Sequence, residues 1–272
     1  MTRPLIIDTF PANNELHHLE MRLETMDEAV DFFVCVEADV DHQDHPKPFH
    51  ITENIDRFAA WADKLVVIRA TGLPTVAQDG DPWARELAQR GYVAEGLRRI
   101  NQLHPLSDTD IVLHGDLDEI CRPLAVRNVR PPANGFVSFG QRLHCFAVDW
   151  LHPDPWGGTV AATLAQVAKL RQINREPFVT IRNSRNSNDD VLADSGWHFS
   201  WLGGKEAALA KLGAFCHPEI SERALMGLTE DIYLREGFHV DGRRMKPVEV
   251  TPGEWPAYIT DRRCPTEWFR PR

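Results

Sequence analysis

The sequence predicts an α/β domain: a mostly parallel central sheet with helices on both faces and an antiparallel addition in its second half. Three observations point there. Short apolar runs end on polar or charged residues, as buried parallel strands do, at Leu5-Ile6-Ile7 before Asp8 and at Phe32-Phe33-Val34-Cys35-Val36 before Glu37. Segments at helical spacing lie between such runs. After Pro123 the helical period lapses, and Gly135 to Trp150 reads as one long extended stretch through Phe136, Val137, Phe139, Leu143, Phe146, Val148 and Trp150.

Taken in order, the first strand is followed by a helix from Asn14, a good amino-terminal cap, with Leu16, Leu19, Leu23, Met26 and Val30 as its apolar stripe. Glu15, Glu20, Arg22 and Glu24 lie mostly off that stripe. The second strand leads into residues 38–50, an irregular loop with several Asp and His residues plus Pro46 and Pro48. A helix over residues 54–61 precedes a third strand, Lys64 to Arg69. Asp81 as cap and Pro82 at the first helical position open a long helix through Trp83, Leu87, Val93, Leu97 and Ile100. Asp110 to His114 is the fourth strand, Phe178-Val179-Thr180-Ile181 a later one, and Gly203 to Phe215 a helix. The tail from Pro247 on, rich in Pro, Trp and Arg, shows no clear element.

A chain of 272 residues, 43% hydrophobic, suffices for one large core, so a single domain over 1–272 is expected. The formal net charge of -10 repels a polyphosphate backbone, and no basic stripe overrules it, which excludes nucleic acid as the main partner. Five cysteines, far apart and without a C-x-x-C pair, fit a reduced, cytoplasmic interior. The amino terminus has an apolar run of only three residues before a carboxylate, and no stretch approaches the ~20 apolar residues of a spanning helix. No transmembrane segment is expected.

Asp-x-Asp occurs four times, at Asp39/Asp41, Asp79/Asp81, Asp108/Asp110 and Asp116/Asp118. Only the last directly follows a strongly apolar strand, Ile111-Val112-Leu113, at the carboxyl end where open α/β sheets place their ligands. Asp116, Asp118 and Glu119 repel one another there. A hard divalent cation, Mn2+ or Mg2+, removes the conflict, since it takes one or two carboxylates and fills its shell with water and substrate phosphates. A solvated acidic turn is the alternative.

A wider set of blocks carries a resemblance. Asp8-Thr9-Phe10-Pro11-Ala12-Asn13-Asn14-Glu15-Leu16, Leu19-Glu20-Met21-Arg22-Leu23, Val34-Cys35-Val36-Glu37 and Lys47-Pro48 come first. Trp83-Ala84-Arg85-Glu86 with Arg90, Gly115-Asp116-Leu117-Asp118-Glu119-Ile120 with Pro123, and Gly196-Trp197-His198-Phe199-Ser200 followed by Lys211, Phe215, His217 and Glu219 continue the series. In this order they resemble glycosyltransferase family 17, which includes the β-1,4-mannosyl-glycoprotein 4-β-N-acetylglucosaminyltransferases. The resemblance covers residues 4 to about 220. It implies a GT-A type nucleotide-diphosphate-sugar transferase fold, a divalent metal bound through Asp116/Asp118, and inverting transfer of a sugar, N-acetylglucosamine from a UDP donor, to a saccharide or glycoconjugate acceptor. Residues 1–123 would be the nucleotide-sugar-binding half, 124–246 the acceptor-side half and 247–272 a tail. The animal members carry an amino-terminal membrane anchor that is not seen here, which favours a saccharide or glycolipid acceptor over an N-glycan.

Inverting transfer needs charge compensation for the departing diphosphate and a base for the acceptor hydroxyl. Asp118 is the first choice as metal ligand, Asp116 sits nearer the ribose or holds metal-bound water, and His198 or His217 completes the shell, although a histidine beside Trp197 also suits a packed core. Asp194 and Glu219 are the candidate bases, with Asp194 preferred. Arg85 and Arg90 offer guanidinium forks to the diphosphate, or are solvated helix charges. Asp8 and Glu37, at the ends of the first two strands, are placed to meet nucleobase or ribose, with cap or turn roles as the plainer reading, and Glu15 and Lys47 are further donor-binding candidates. Glu119 and Trp197 are the candidate acceptor contacts, Trp197 as a stacking face or a core filler. A metal-dependent phosphohydrolase and a non-catalytic carbohydrate-binding protein are the rival functions; the dispersed histidines disfavour the first and the acidic triplet the second.

Overall fold

The computed structural model describes residues 3–75, 83–173, 175–187, 190–214, 225–227 and 232–271. The chain runs β1 (Ile6–Ala12), α1 (Leu16–Met26), β2 (Phe32–Ala38), α2 (His50–Glu53), a 3-10 segment Ile55–Trp61, β3 (Leu65–Ala70), α3 (Ala84–Gly91), α4 (Val93–Leu103), β4 (Ile111–His114), β5 (Glu119–Cys121) and α5 (Pro123–Asn128). It continues through β6 (Val137–Cys145), β7 (Trp150–Leu151), β8 (Trp156–Thr163), α6 (Leu164–Gln172), α7 (Pro177–Asn183), β9 (Asp190–Leu192), β10 (Gly196–Ser200) and α8 (Gly204–Ala214). A π-helical turn at Ile232–Glu236, β11 (Lys246–Pro247), α9 (Ala257–Thr260) and a 3-10 turn at Thr266–Trp268 complete it.

The sheet order is β3-β2-β1-β4-β8-β6-β7-β11. The first four strands are parallel, and β8 joins them antiparallel to both β4 and β6. β10 lies parallel to β6 and antiparallel to β5. This is the expected GT-A type layout, a parallel amino-terminal half continued by antiparallel strands. Successive side chains of a strand face opposite layers. Ile6 and Phe10 of β1 therefore join α1 in one core, and Ile7 joins Val93, Leu97 and Ile100 of α4 in the other.

Several local expectations are corrected. The long helix is two, α3 and α4, broken after Gly91, a poor helix residue; Asp79, Asp81 and Pro82 lie outside the described residues. Phe178 to Ile181 is no strand but the body of α7, started by Pro177, with Phe178 and Ile181 three residues apart on its buried face. Residues 54–61 are 3-10 rather than α-helical. The tail is a core component: Trp255, Tyr258, Ile259 and Trp268 pack with α1, and Lys246–Pro247 pairs with β7. Arg22 is not on a solvent face; it is fully buried.

Candidate active site

The order β2-β1-β4 makes the chain wind outward in both directions from the β1/β4 pair, and open α/β sheets bind ligands outside the carboxyl ends at such a switch point. Residues 13–15 leave β1 there and residues 115–118 leave β4. Gly115 donates its N–H to the Thr9 carbonyl at 3.2 Å and is packed so closely that a Cβ would meet Thr159 Oγ1 at 2.4 Å and Glu119 Oε2 at 2.7 Å. Only glycine fits that turn.

The acidic turn is clamped from below by Arg22. Its guanidinium donates to both Asp8 oxygens at 2.7 Å and to the carbonyls of Asp116 (2.8 Å), Leu117 (3.1 Å) and Glu119 (2.8 Å). The three carboxylates above each have cationic or N–H partners, so they are not the mutually repelling triplet expected from sequence. Asp116 accepts from Arg90 and from Arg182, each at 2.5 Å. Glu119, fully buried, accepts from Arg182 (2.8 and 3.1 Å), from Trp156 Nε1 (2.7 Å) and from the Asp116 N–H (3.0 Å). Asp118 faces His198 Nε2 at 3.2 Å and Lys211 Nζ at 3.1 Å. Its backbone carbonyl accepts from the Phe199 N–H at 2.9 Å, which ties the turn to β10.

Electrostatics keep both aspartates ionised. Burial works to raise the Asp116 carboxyl, but Arg182 and Arg90 outweigh it and hold it far below its ordinary value. For Asp118 the same contest is won by Lys211 and His198. Burial opposes the charge on Lys211 as well, and Asp118 with Glu15 overcomes it and raises that ammonium. His114, at the end of β4, is pushed down by burial and by Arg90 and Arg182, so it stays neutral between Thr9 and Arg90.

The other sequence candidates sort by position. Glu15 accepts from the N–H groups of Asn13 (3.0 Å) and Asn14 (3.1 Å) through one oxygen. It is close enough to raise both Lys211 and Lys47. Lys47 Nζ is enclosed and has no hydrogen-bond partner among the described residues. Burial lowers this ammonium, a cost that Glu37 and Glu15 only partly offset. Glu15 thus acts electrostatically on both Lys47 and Lys211, and Lys211 pairs with Asp118 at 3.1 Å.

The structure places Asp8, Glu37, Arg85, Glu119 and Trp197 in architectural contacts. Asp8 is sealed against Arg22. Glu37 accepts from the N–H groups of Ile51 (2.9 Å) and Thr52 (3.0 Å), which satisfies the start of α2. Arg85, fully buried, holds the 38–50 loop through the His42 carbonyl (3.0 Å) and Asp44 (2.8 Å). Glu119 has no exposed surface to offer an acceptor. Trp197 lies in the core with the Arg122 guanidinium 4.2 Å from its ring centre, on the face of β10 opposite His198. Asp194 is likewise not at the metal motif. It sits in a surface ion-pair group, 2.7 Å from Arg142 and 3.3 Å from Arg122. It lies in the turn ahead of β10, at φ +48, four residues before His198. His217 and Glu219 lie outside the described residues.

Arg22, Arg182, Trp156 and His18 contact the acidic turn or β10, and the sequence reading names none of them as a site residue. Trp156 lies 4.7 Å from the His198 ring, and His18 Nε2 meets the Phe199 carbonyl at 3.1 Å. Arg182 follows from reading α7 as a strand. Arg22 had a signal: it stands three residues after Leu19, on the buried side of α1.

A sequence model of glycosyltransferase family 17 matches residues 2–230. The chain belongs to this family. It is accordingly a glycosyltransferase, acting on a sugar donor and an acceptor. No curated protein matches the sequence. Among solved structures, similarity is found to a 4-diphosphocytidyl-2C-methyl-D-erythritol synthase, at 11% identity over 78% of this chain and 99% of that one, TM-score 0.45. A mycobacterial protein is similar at 15% identity over 91% and 85% of the two chains, TM-score 0.41. The galactosyltransferase LgtC, in complex with donor and acceptor sugar analogs, is similar at 12% identity over 69% and 72%, TM-score 0.33. No helix among the described residues of this family 17 chain is long and apolar enough to cross a membrane.

Proposed function

We propose that this transferase moves N-acetylglucosamine from a UDP donor to a saccharide or glycoconjugate hydroxyl with inversion, assisted by Mn2+ or Mg2+ at Asp118. The observation that carries this is the position of Asp118 at the β1/β4 switch point, ionised and facing His198 Nε2 at 3.2 Å.

The donor set fits a hard cation with an open shell. Asp118 and His198 would hold it, and Asp116, engaged by Arg90 and Arg182, would reach it through water. Among the described residues His198 Nδ1 has no hydrogen-bond partner, and the ring's polar contact is the one from Nε2 to Asp118. Bound there, the cation supplies Lewis-acid stabilisation of the leaving diphosphate. Lys211 adds a positive charge beside the same phosphates. Lys47 and Glu15 line the nucleoside side, Lys47 as a pre-desolvated donor to a phosphate or ribose oxygen. Trp156, half-buried beside His198, offers a ring face to a sugar. With Asp194 held at a distance, Glu219 is the remaining base candidate; it follows Lys211 by eight residues in the chain.

Calorimetric titration of UDP-N-acetylglucosamine in manganese and then in excess chelator tests this reading. Binding is expected with manganese and at least tenfold weaker without it, by analogy with the loss of a charge-compensating group. Equal affinity in both would remove the metal from the mechanism.

A further inference from the structure

A second constellation of metal-binding atoms lies away from the acidic turn. His152 follows β7, while His239 and Asp241 sit in a tight hairpin closed by the bridge between Phe238 and Arg244. One nitrogen from each histidine and a carboxylate oxygen lie within 4.8 Å of one another. Asp241 stands between the rings, its Oδ2 3.2 Å from His152 Nε2 and its Oδ1 3.0 Å from His239 Nδ1. Neighbouring ligands of a tetrahedral zinc ion lie about 3.3 Å apart, given bonds of about 2.0 Å. The present spacing is already close to that.

The surroundings prepare the site. Asp241 and Gly242 make the turn, with Gly242 at φ +88 and its N–H donated to the His239 carbonyl at 2.9 Å. The His152 ring is almost fully buried, its Nδ1 is held by the Asp154 backbone at 3.1–3.2 Å and its Nε2 faces the cluster. Arg243 Nε, 3.3 Å from Asp241 and half exposed, neutralises the carboxylate and can swing out. The His152 N–H donates to the Leu143 carbonyl at 2.8 Å, and Leu143 stands beside His198 in the sheet.

We propose that His152, His239 and Asp241 bind a borderline divalent cation, zinc by ligand type, and that this ion pins the hairpin to the strands next to His198. Two imidazoles and one carboxylate favour zinc over magnesium. The site is independent of the donor reading. The test is zinc titration of the full chain in excess magnesium, comparing wild type with Asp118→Asn, His239→Ala and Asp241→Asn, with circular dichroism to confirm folding. Wild type and Asp118→Asn should bind zinc alike, and each hairpin variant should bind it about tenfold more weakly or worse. The proposal is overturned if wild type binds no zinc, if both hairpin variants bind it normally, or if Asp118→Asn alone abolishes binding.

Discussion

Arg22 shows most directly how single residues shape this site. Its five hydrogen bonds join α1, β1 and the acidic turn, and burial, which works to discharge it, is overcome by Asp8. Replacing it with alanine leaves Asp8 charged and enclosed, a change that costs about 3–5 kcal/mol in buried pairs. Urea unfolding should show that loss as a lowered midpoint. Lysine should not restore it, because one ammonium cannot reproduce a planar fork shared among five acceptors. An Arg22→Ala protein within 1 kcal/mol of wild type, on the same scale, would mean that the clamp is dispensable. Part of this was legible: a carboxylate inside an apolar parallel strand, Asp8, demands a cation, and Arg22 has the spacing to supply it. What sequence could not convey was that Asp116 and Glu119 already have Arg90 and Arg182 as partners, since those arginines come from distant elements.

At the scale of elements, the parallel half was readable because each strand and helix announces itself within a few residues, from Leu5 to His114. α7 was not. Phe178-Val179-Thr180-Ile181 has a strand's composition, and the helix is decided by Pro177 at its start and by burial of Phe178 and Ile181 against the sheet. The extended backbone of β6 was legible, but its pairing with β8 and β10 is non-local, and no local pattern specifies it. β6 also carries a pH response. His144, packed against Phe199 and Trp255, is pushed down to about 3 by burial and by Arg142. The unfolded chain takes up this proton below about pH 6.5, the folded chain only near 3, so stability is full above 6.5 and declines as pH falls between them. Between pH 7 and 5 this one group should remove about 2 kcal/mol. His144→Phe should flatten that decline in urea midpoints measured at the two pH values; an unchanged slope would show that other groups cause it.

Across the whole molecule, the two halves meet at the carboxyl ends of β1 and β4. The amino-terminal half supplies Glu15, Lys47, Asp116 and Asp118; β10 and α8 bring His198 and Lys211 onto Asp118 from the other half. The tail closes the underside of α1 with Trp255, Tyr258 and Trp268. Its Pro-rich sequence hid that role, because irregular backbone packs through scattered aromatics rather than through a period. The measurement that tests Asp118 as the centre of the site is turnover and melting temperature of Asp118→Asn on one preparation. Removing a charge-stabilising group of this kind lowers turnover by roughly a hundredfold or more, about 3 kcal/mol. Stability should fall by about 1–3 kcal/mol without collapse, since Lys211, largely enclosed, loses its charged acceptor. Turnover within a few-fold of wild type, or activity lost together with a collapsed fold, would contradict the assignment.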